Sequence, residues 1–169
     1  MKDLRLEKIN IRAVNVPLNK PVIAHLGTFD KWPFLCLDLY TNQGLTGKSY
    51  IGPYLVNQLP TIAKCIEALS IPFLNRSIKP FNFFEEGFNK TALLGYQGIG
   101  LYALAALDIA FWDVYAKAVN MPLATLLGSD LKPIKTYNSR GLWLIPLDKV
   151  DKEIYDLLDN GSFNALKVR

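Results

Sequence analysis

One long apolar segment constrains the fold of this chain more than any other feature. Residues 98–119 read GIGLYALAALDIAFWDVYAKAV, which is rich in alanine and apolar on more than one face of a helix. A helix that is apolar all round is typical of a buried position, so we expect this helix at the centre of a small bundle. Asp108 and Asp113 interrupt the segment, and we therefore predict a core helix and no membrane partner.

The N-terminal third predicts an antiparallel meander. Residues 4–18 alternate apolar and polar side chains, which indicates a half-buried strand that ends at Pro17. Residues 19–31 predict a loop that is longer than most connections, and such loops are often functional. Two further strands are expected over 32–41 and 45–51. The meander thus has three strands.

The rest of the chain alternates between helices and strands. Periodic apolar positions predict helices over 55–70 and 81–94, before the long one. A strand over 134–142, a helix over 148–158 and a strand over 163–169 then form a strand–helix–strand unit of the length that a parallel crossover requires. The fold class predicted is α+β: a three-stranded meander with a helical bundle, followed by a βαβ unit.

Composition excludes several classes of function. The chain has 19 Lys and Arg against 15 Asp and Glu, a net charge of +4, but these side chains are scattered, so we expect no nucleic-acid partner. Cys36 and Cys65 are too few for a disulfide scaffold, and the first twenty residues hold no apolar leader, so we expect a cytoplasmic protein. His25 is the sole histidine, and no Cys or His pair has metal-ligand spacing.

Several strings, in their order and spacing, resemble one family. These are RAVNVPL at 12–18, GKSY at 47–50, the segment 93–117 around the long helix, MPLATLLG at 121–128, KTYNS at 135–139 and LKVR at 166–169. They are similar to the mandelate racemase / muconate-lactonizing enzyme family of the enolase superfamily, and most similar to its mandelate racemase branch. The resemblance implies that residues 1–130 form an N-terminal capping domain and that 131–169 begin a (β/α) barrel, which is incomplete here.

The resemblance also implies a reaction. Family members use Mg²⁺ and remove the proton alpha to a carboxylate, as racemases or acid-sugar dehydratases, so the implied partner is a small hydroxy acid or acid sugar. A homo-oligomer is implied as well. The family's metal ligands and its His–Asp base lie on later barrel strands. We therefore expect this chain to be the N-terminal part of such an enzyme, to bind no Mg²⁺ by itself and to be inactive alone.

Two catalytic candidates follow from the resemblance at the last string. Lys167 and Arg169 are two apart on a predicted strand, so they face the same side, at the strand end where barrel active sites form. Lys167 matches the lysine that holds the substrate carboxylate. Arg169 stands where the family usually has the lysine base. Since arginine stays protonated near neutral pH, we expect Arg169 to stabilise charge, which favours one-base chemistry such as dehydration.

Four further positions are substrate-binding candidates by the same resemblance. Ser139 ends the first predicted barrel strand, where a hydroxyl can donate to a carboxylate. Val22 and Phe29 lie in the 19–31 segment, which covers the active site in the family, and Tyr54 follows the third strand. The alternatives are that Ser139 bonds its own backbone and that Val22 and Phe29 only anchor the loop. No metal ligand is predicted in this chain.

A second class of function stays open from the sequence. A capping domain without its barrel exposes a large apolar face, and such faces drive association. In that case the chain is a non-catalytic interaction or oligomerisation module descended from an enzyme of this family.

Overall fold

A computed structural model describes residues 3–95, 97–159, 161 and 163–169 of the chain. The chain divides into two units. The first unit consists of Met1–Asn15 and Pro33–Leu131, and the second unit consists of Val16–Trp32 and Lys132–Arg169. Each unit is described by itself below.

A three-stranded antiparallel sheet runs in the order β1-β2-β3, as the meander predicts. Its strands are β1 (Leu6–Ala24), β2 (Gly27–Thr41) and β3 (Thr46–Ile51). The register of β2 on β3 pairs Leu35 with Ile51 at one end and Tyr40 with Thr46 at the other. The tight turn between them uses Gly44 at φ 75°, a backbone conformation that glycine adopts without strain.

The predicted 19–31 loop is wrong, because these residues continue the first two strands. Strand β1 runs through Pro17 as far as Ala24, and β2 begins at Gly27, so only His25 and Leu26 form the turn. Proline lacks a backbone N–H, so within a central strand it leaves one hydrogen bond to a neighbouring strand unmade. Since β1 lies at the edge of the sheet, Pro17 is tolerated within it.

The helices of the first unit lie close to their predicted ranges. They are α1 (Leu59–Ser70), α2 (Pro80–Thr91), α3 (Ile99–Ala118) and the short α4 (Leu123–Leu126). The predicted ranges over 55–70 and 81–94 extend further because one-turn 3₁₀ segments flank α1 and α2, at Val56–Gln58 and Ala92–Leu94. Proline stands in the first turn of both helices, where its missing N–H has no intrahelical partner to lose.

Helix α3 is the core helix, as predicted, but it is not buried all round. It packs against β3, α1 and α2. One face, which includes Leu104, Leu107 and Ala110, is fully buried, whereas Leu101 and Ile109 are 40% and 47% exposed. By length and composition α3 is the one helix among the described residues that could cross a membrane, and half of its apolar window is buried inside this fold. Its burial against three elements identifies it as a core helix.

Polar contacts fasten β3 to α3. The Ser49 hydroxyl donates to the Ala106 carbonyl at 2.6 Å, and the Lys48 backbone N–H donates to Oδ2 of Asp113 at 2.7 Å. Lys117, one turn further along α3, also donates to Oδ2 of Asp113 at 2.6 Å. Asp113 is thus the structural anchor that its place in the helix suggests. Asp108 differs: its Oδ1 is buried with no hydrogen-bond partner among the described residues, and burial raises the pKa of this carboxyl.

The second unit has less regular structure than the sequence predicts. Helix α5 (Val150–Leu158) follows a one-turn 3₁₀ segment at Leu147–Lys149, in agreement with the predicted helix. The predicted strands over 134–142 and 163–169 are not formed as strands within the described residues, and one parallel bridge joins Asn138 to Leu166 instead. A pair of strands with no further neighbour lacks the pairing and the covered face that stabilise a sheet.

Candidate functional site

The two segments that carry three of the six predicted site residues run side by side in the second unit. The backbone N–H of Asn138 donates to the Ala165 carbonyl at 2.8 Å, and the N–H of Lys167 donates to the Asn138 carbonyl at 3.0 Å. These two bonds form the parallel bridge. They bring Ser139, which directly follows Asn138, beside the segment of Lys167 and Arg169.

Asn138 is the residue that fixes this arrangement, and sequence reasoning left it out. Its side chain is buried and donates from Nδ2 to the carbonyl of Leu157, near the end of α5, at 3.2 Å. Its Oδ1 accepts from the backbone N–H of Arg140 at 3.0 Å. Because a buried amide must be hydrogen-bonded on both sides, Asn138 specifies where the segment lies on the helix. The predicted strand over 134–142 holds several other polar residues, so no local pattern distinguishes Asn138 from them.

The exposed side chain of Arg169 contacts an aromatic ring and two backbone carbonyls. Its guanidinium carbon lies 3.8 Å from the ring centroid of Trp143, well inside the range of a cation–π interaction. Its Nη1 is 3.4 Å from the Gly141 carbonyl and 3.5 Å from the Ser139 carbonyl. Arg169 therefore carries a positive charge at the end of the parallel pair, in contact with the backbone of the predicted serine.

Lys167 and Ser139 carry polar side chains on the two segments that the bridge joins. Both residues are exposed. Within the described part of the chain, Nζ of Lys167 makes no ion pair, and the Ser139 hydroxyl makes no hydrogen bond to its own backbone. An ammonium group, a guanidinium and a hydroxyl donor together can bind a carboxylate.

A cleft of about 520 Å³ lies in the second unit. Strand β1 contributes residues from Pro17 to Val22, and Asn138, Arg140 and Trp143 line another side. Residues of α5 complete the lining. Val22, one of the predicted substrate-binding residues, thus lines a cavity together with Asn138.

An ion pair links the hairpin side of the cleft to the helix side. Nζ of Lys20 lies 3.2 Å from Oε1 of Glu153. On the same helix, the hydrogen bond from Lys152 lowers the pKa of the Asp156 carboxyl, which also lines the cleft. The cleft therefore has charges of both signs, and the sequence singled out neither Lys20 nor Asp156.

The remaining two predicted residues occupy different surroundings. Phe29 is half-buried on β2 and packs edge-on against Trp32, with 6.3 Å between ring centroids. Tyr54 belongs to the first unit, is 60% exposed and has a left-handed backbone at φ 63°. The structure thus brings Ser139, Lys167 and Arg169 together, places Val22 in a cleft of the same unit, and leaves Phe29 in an aromatic pair.

The described residues do not form a metal site. Among residues 3–95, 97–159, 161 and 163–169, no group of three or more His, Cys, Asp or Glu side chains could hold a metal ion. The donor set therefore does not fit a Mg²⁺ ion, which needs several oxygen ligands around it. What the described site offers is a set of cations and a hydroxyl.

The chain is similar to a known protein family and to several characterised proteins. The family described as "Mandelate racemase / muconate lactonizing enzyme, N-terminal domain" matches residues 7–128. The o-succinylbenzoate synthase of Bacillus subtilis (strain 168) is 28% identical over 98% of this chain and 44% of its own length. The L-talarate/galactarate dehydratase of Salmonella typhimurium (strain LT2) is 39% identical, over 41% of this chain and 18% of its own length.

Solved structures show the same likeness. An enolase from alpha proteobacterium bal199 with bound Mg superposes with a TM-score of 0.92 at 32% identity, and covers 98% of this chain and 47% of its own. An enolase from Bradyrhizobium complexed with magnesium and mandelic acid gives a TM-score of 0.87 at 28% identity, over 99% and 46% of the two chains. This chain thus spans less than half the length of the proteins that it resembles.

Proposed function

Because this chain belongs to the mandelate racemase / muconate lactonizing enzyme family, we propose that it forms the capping domain and the carboxylate-binding start of the barrel in a Mg²⁺-dependent enzyme. The reaction is removal of the proton alpha to a carboxylate, of the racemase or acid-sugar dehydratase type. The substrate is a small hydroxy acid or acid sugar. Among the described residues no group of three or more His, Cys, Asp or Glu side chains could hold that ion, and this chain contributes side chains that bind the substrate.

Lys167 and Arg169 bind the substrate carboxylate in this proposal. Loss of the alpha proton places a second negative charge on the substrate, and cations that already point at it stabilise the transition state. Lys167 supplies a compact ammonium group, and Arg169 supplies a guanidinium that stays protonated. Arg169 is therefore a charge stabiliser, and one-base chemistry is favoured over two-base racemisation. The Ser139 hydroxyl donates to the same carboxylate.

A single observation carries this proposal. Backbone hydrogen bonds join Asn138 to Ala165 and to Lys167, which lie 27 and 29 residues further along the chain. The three candidate residues, Ser139, Lys167 and Arg169, stand on the two segments that these bonds join. Parallel pairing of this kind places strand ends of one polarity at the same edge, where barrel active sites are built. By the family resemblance, Val22, Phe29 and Tyr54 remain the further substrate-binding residues of this proposal.

The proposal is tested by alpha-proton exchange in the native gene product. We expect exchange of mandelate or glucarate protons into deuterated water with Mg²⁺, and a loss of about a hundredfold in Lys167→Met, which removes a charge stabiliser. Lys64→Met, at an exposed lysine of α1 that pairs with Glu67, is the matched control and should exchange normally. An unchanged rate in Lys167→Met would overturn the role of Lys167.

The intact mass of the native gene product separates the two classes of function. We propose that the 169 residues alone give no exchange, since no described cluster holds a metal. A mass near the 19.0 kDa of this chain, with no exchange, would favour the interaction module. A mass near twice that value, with exchange, would favour the enzyme.

Self-association is the second part of the proposal. The first unit carries a groove of about 510 Å³ lined by the start of α2, by α3 and by α4. Phe81 at its rim is 75% exposed and packs edge-on against Trp112, with 4.9 Å between ring centroids. We propose that this groove is buried in a homo-oligomer, because exposed aromatic surface favours association.

A further inference from the structure

The turn that follows Ser139 is held in an unusual conformation. Leu142 is 2% exposed and has a left-handed backbone at φ 53°, which a branched side chain rarely adopts. Gly141, just before it, packs so closely on α5 that an added Cβ would lie 2.7 Å from Oε1 of Glu153. A strained backbone of this kind persists only where the surrounding contacts determine it.

The consequence of this turn is the position of Trp143. Leu142 is buried just before Trp143, and just after it the Leu144 N–H donates to the Ile23 carbonyl of β1 at 3.2 Å. The backbone is therefore held on both sides of Trp143. Its ring is half-buried, lines the cleft and lies 3.8 Å from the Arg169 guanidinium carbon.

We propose that Trp143 is a positioning residue for Arg169, which it holds as a preorganised cation for a substrate carboxylate. This inference rests on the proposed function above. A free arginine side chain loses conformational freedom when it binds a ligand, and that loss weakens binding. The delocalised guanidinium stacks on the indole face, and its Nη1 faces two backbone carbonyls. Its other N–H groups can donate to a carboxylate.

A double-mutant cycle on ligand affinity tests this role. The probes are mandelate and glucarate, and the measurement is the Kd by calorimetry in the native gene product. We expect Trp143→Leu to weaken binding about two- to fivefold, the range that an exposed cation–π contact provides. Trp143→Phe, which keeps an aromatic face, should bind nearly as well as the wild type.

The cycle distinguishes positioning from a general structural role. In an Arg169→Met background, Trp143→Leu should change the Kd no further, because Trp143 acts through Arg169. A merely structural tryptophan would weaken both backgrounds equally, and that result would overturn the proposal. If Trp143→Leu does not fold, Trp143→Met, whose flexible side chain also lacks a ring, replaces it.

Two further outcomes separate this inference from the proposed function. If Trp143→Leu binds like the wild type while Lys167→Met and Arg169→Met still weaken binding, the positioning role is wrong and the proposed function stands. If the wild type binds neither probe, or if neither cation variant weakens binding, carboxylate binding by this site is wrong and the positioning role falls with it.

Discussion

A row of charges across the sheet shows what single residues contribute to this fold. Asp38 on β2 is buried, accepts a hydrogen bond from Arg12 on β1, and is the register partner of Lys48 on β3. The Arg12 hydrogen bond, with Lys48 nearby, lowers the pKa of the Asp38 carboxyl. A buried carboxylate is costly unless it is paired, and both neighbouring strands supply a cation.

Asp38→Asn should therefore destabilise the protein in a pH-dependent way. We expect the free energy of unfolding at pH 7 to fall by about 1–2 kcal/mol, since a charge-assisted hydrogen bond becomes a neutral one. Folding lowers the pKa of the Asp38 carboxyl, so this stabilisation is present at pH values above the unfolded-state pKa of ~3.9. It is lost as the pH falls through the lower pKa of the folded state. Urea denaturation from pH 7 down to pH 2 measures it.

The matched control for this prediction is Asp30→Asn, at an exposed position of the same strand. It should change the free energy of unfolding little at any pH. A deficit in Asp38→Asn that stays constant in strong acid would contradict the electrostatic explanation, because the wild-type carboxyl is then protonated as well.

At the scale of elements, the contact between β3 and α3 organises the first unit. Strand β3 approaches α3 so closely that a Cβ on Gly47 would lie 2.2 Å from the Ala110 carbonyl oxygen and 2.9 Å from the Cβ of Val114. Backbone atoms of a buried helix cannot move aside to make room. Glycine at position 47 is thus a condition of the packing.

Gly47→Ala should accordingly cost about 1–3 kcal/mol of unfolding free energy, as overpacking of a core does. Thermal or urea denaturation measures the loss. Gly100→Ala is the matched control, because a Cβ there meets its nearest neighbours at ordinary contact distances of 3.7 Å and 3.8 Å and the position lies in a helix. That variant should be neutral or stabilised by up to about 1 kcal/mol. Equal effects of the two substitutions would rule out close approach as the cause.

At the scale of the whole molecule, the aromatic groove is the surface that we propose is buried between copies of the protein. Its apolar lining includes the exposed side chains of Phe81 and Leu127. Exposed apolar surface of this kind is costly in water and is relieved by association. The oligomeric state is therefore expected to depend on the groove.

Phe81→Ser should shift the protein toward the monomer by about tenfold or more in the association constant, since a buried phenylalanine contributes about 1.5–3 kcal/mol. Multi-angle light scattering over a range of concentrations measures the shift. Phe84→Ser, at a 44% exposed position of α2 that does not line the groove, is the control. A wild-type monomer at all concentrations would show that the groove is not an oligomer interface.

Local pattern was enough to predict much of the first unit. The period of apolar side chains identified the meander and α1 to α3. Burial of one face of a strand or helix produces that period within a contiguous segment. The order of short strings identified the family. The predicted site residues Lys167, Arg169 and Ser139 rest on the same resemblance and stay predictions. The family could be identified because these strings occur together in one order and spacing.

Tertiary structure alone decided how far strands extend and which side chains meet. Pro17 remains within β1 because that strand lies at an edge. The predicted strands of the second unit reduce to one bridge because, among the described residues, no further strand pairs with them. The contact between Trp143 and Arg169 joins residues 26 apart and depends on a left-handed turn at Leu142. Such contacts depend on where distant segments pack, and periodicity holds no information about that.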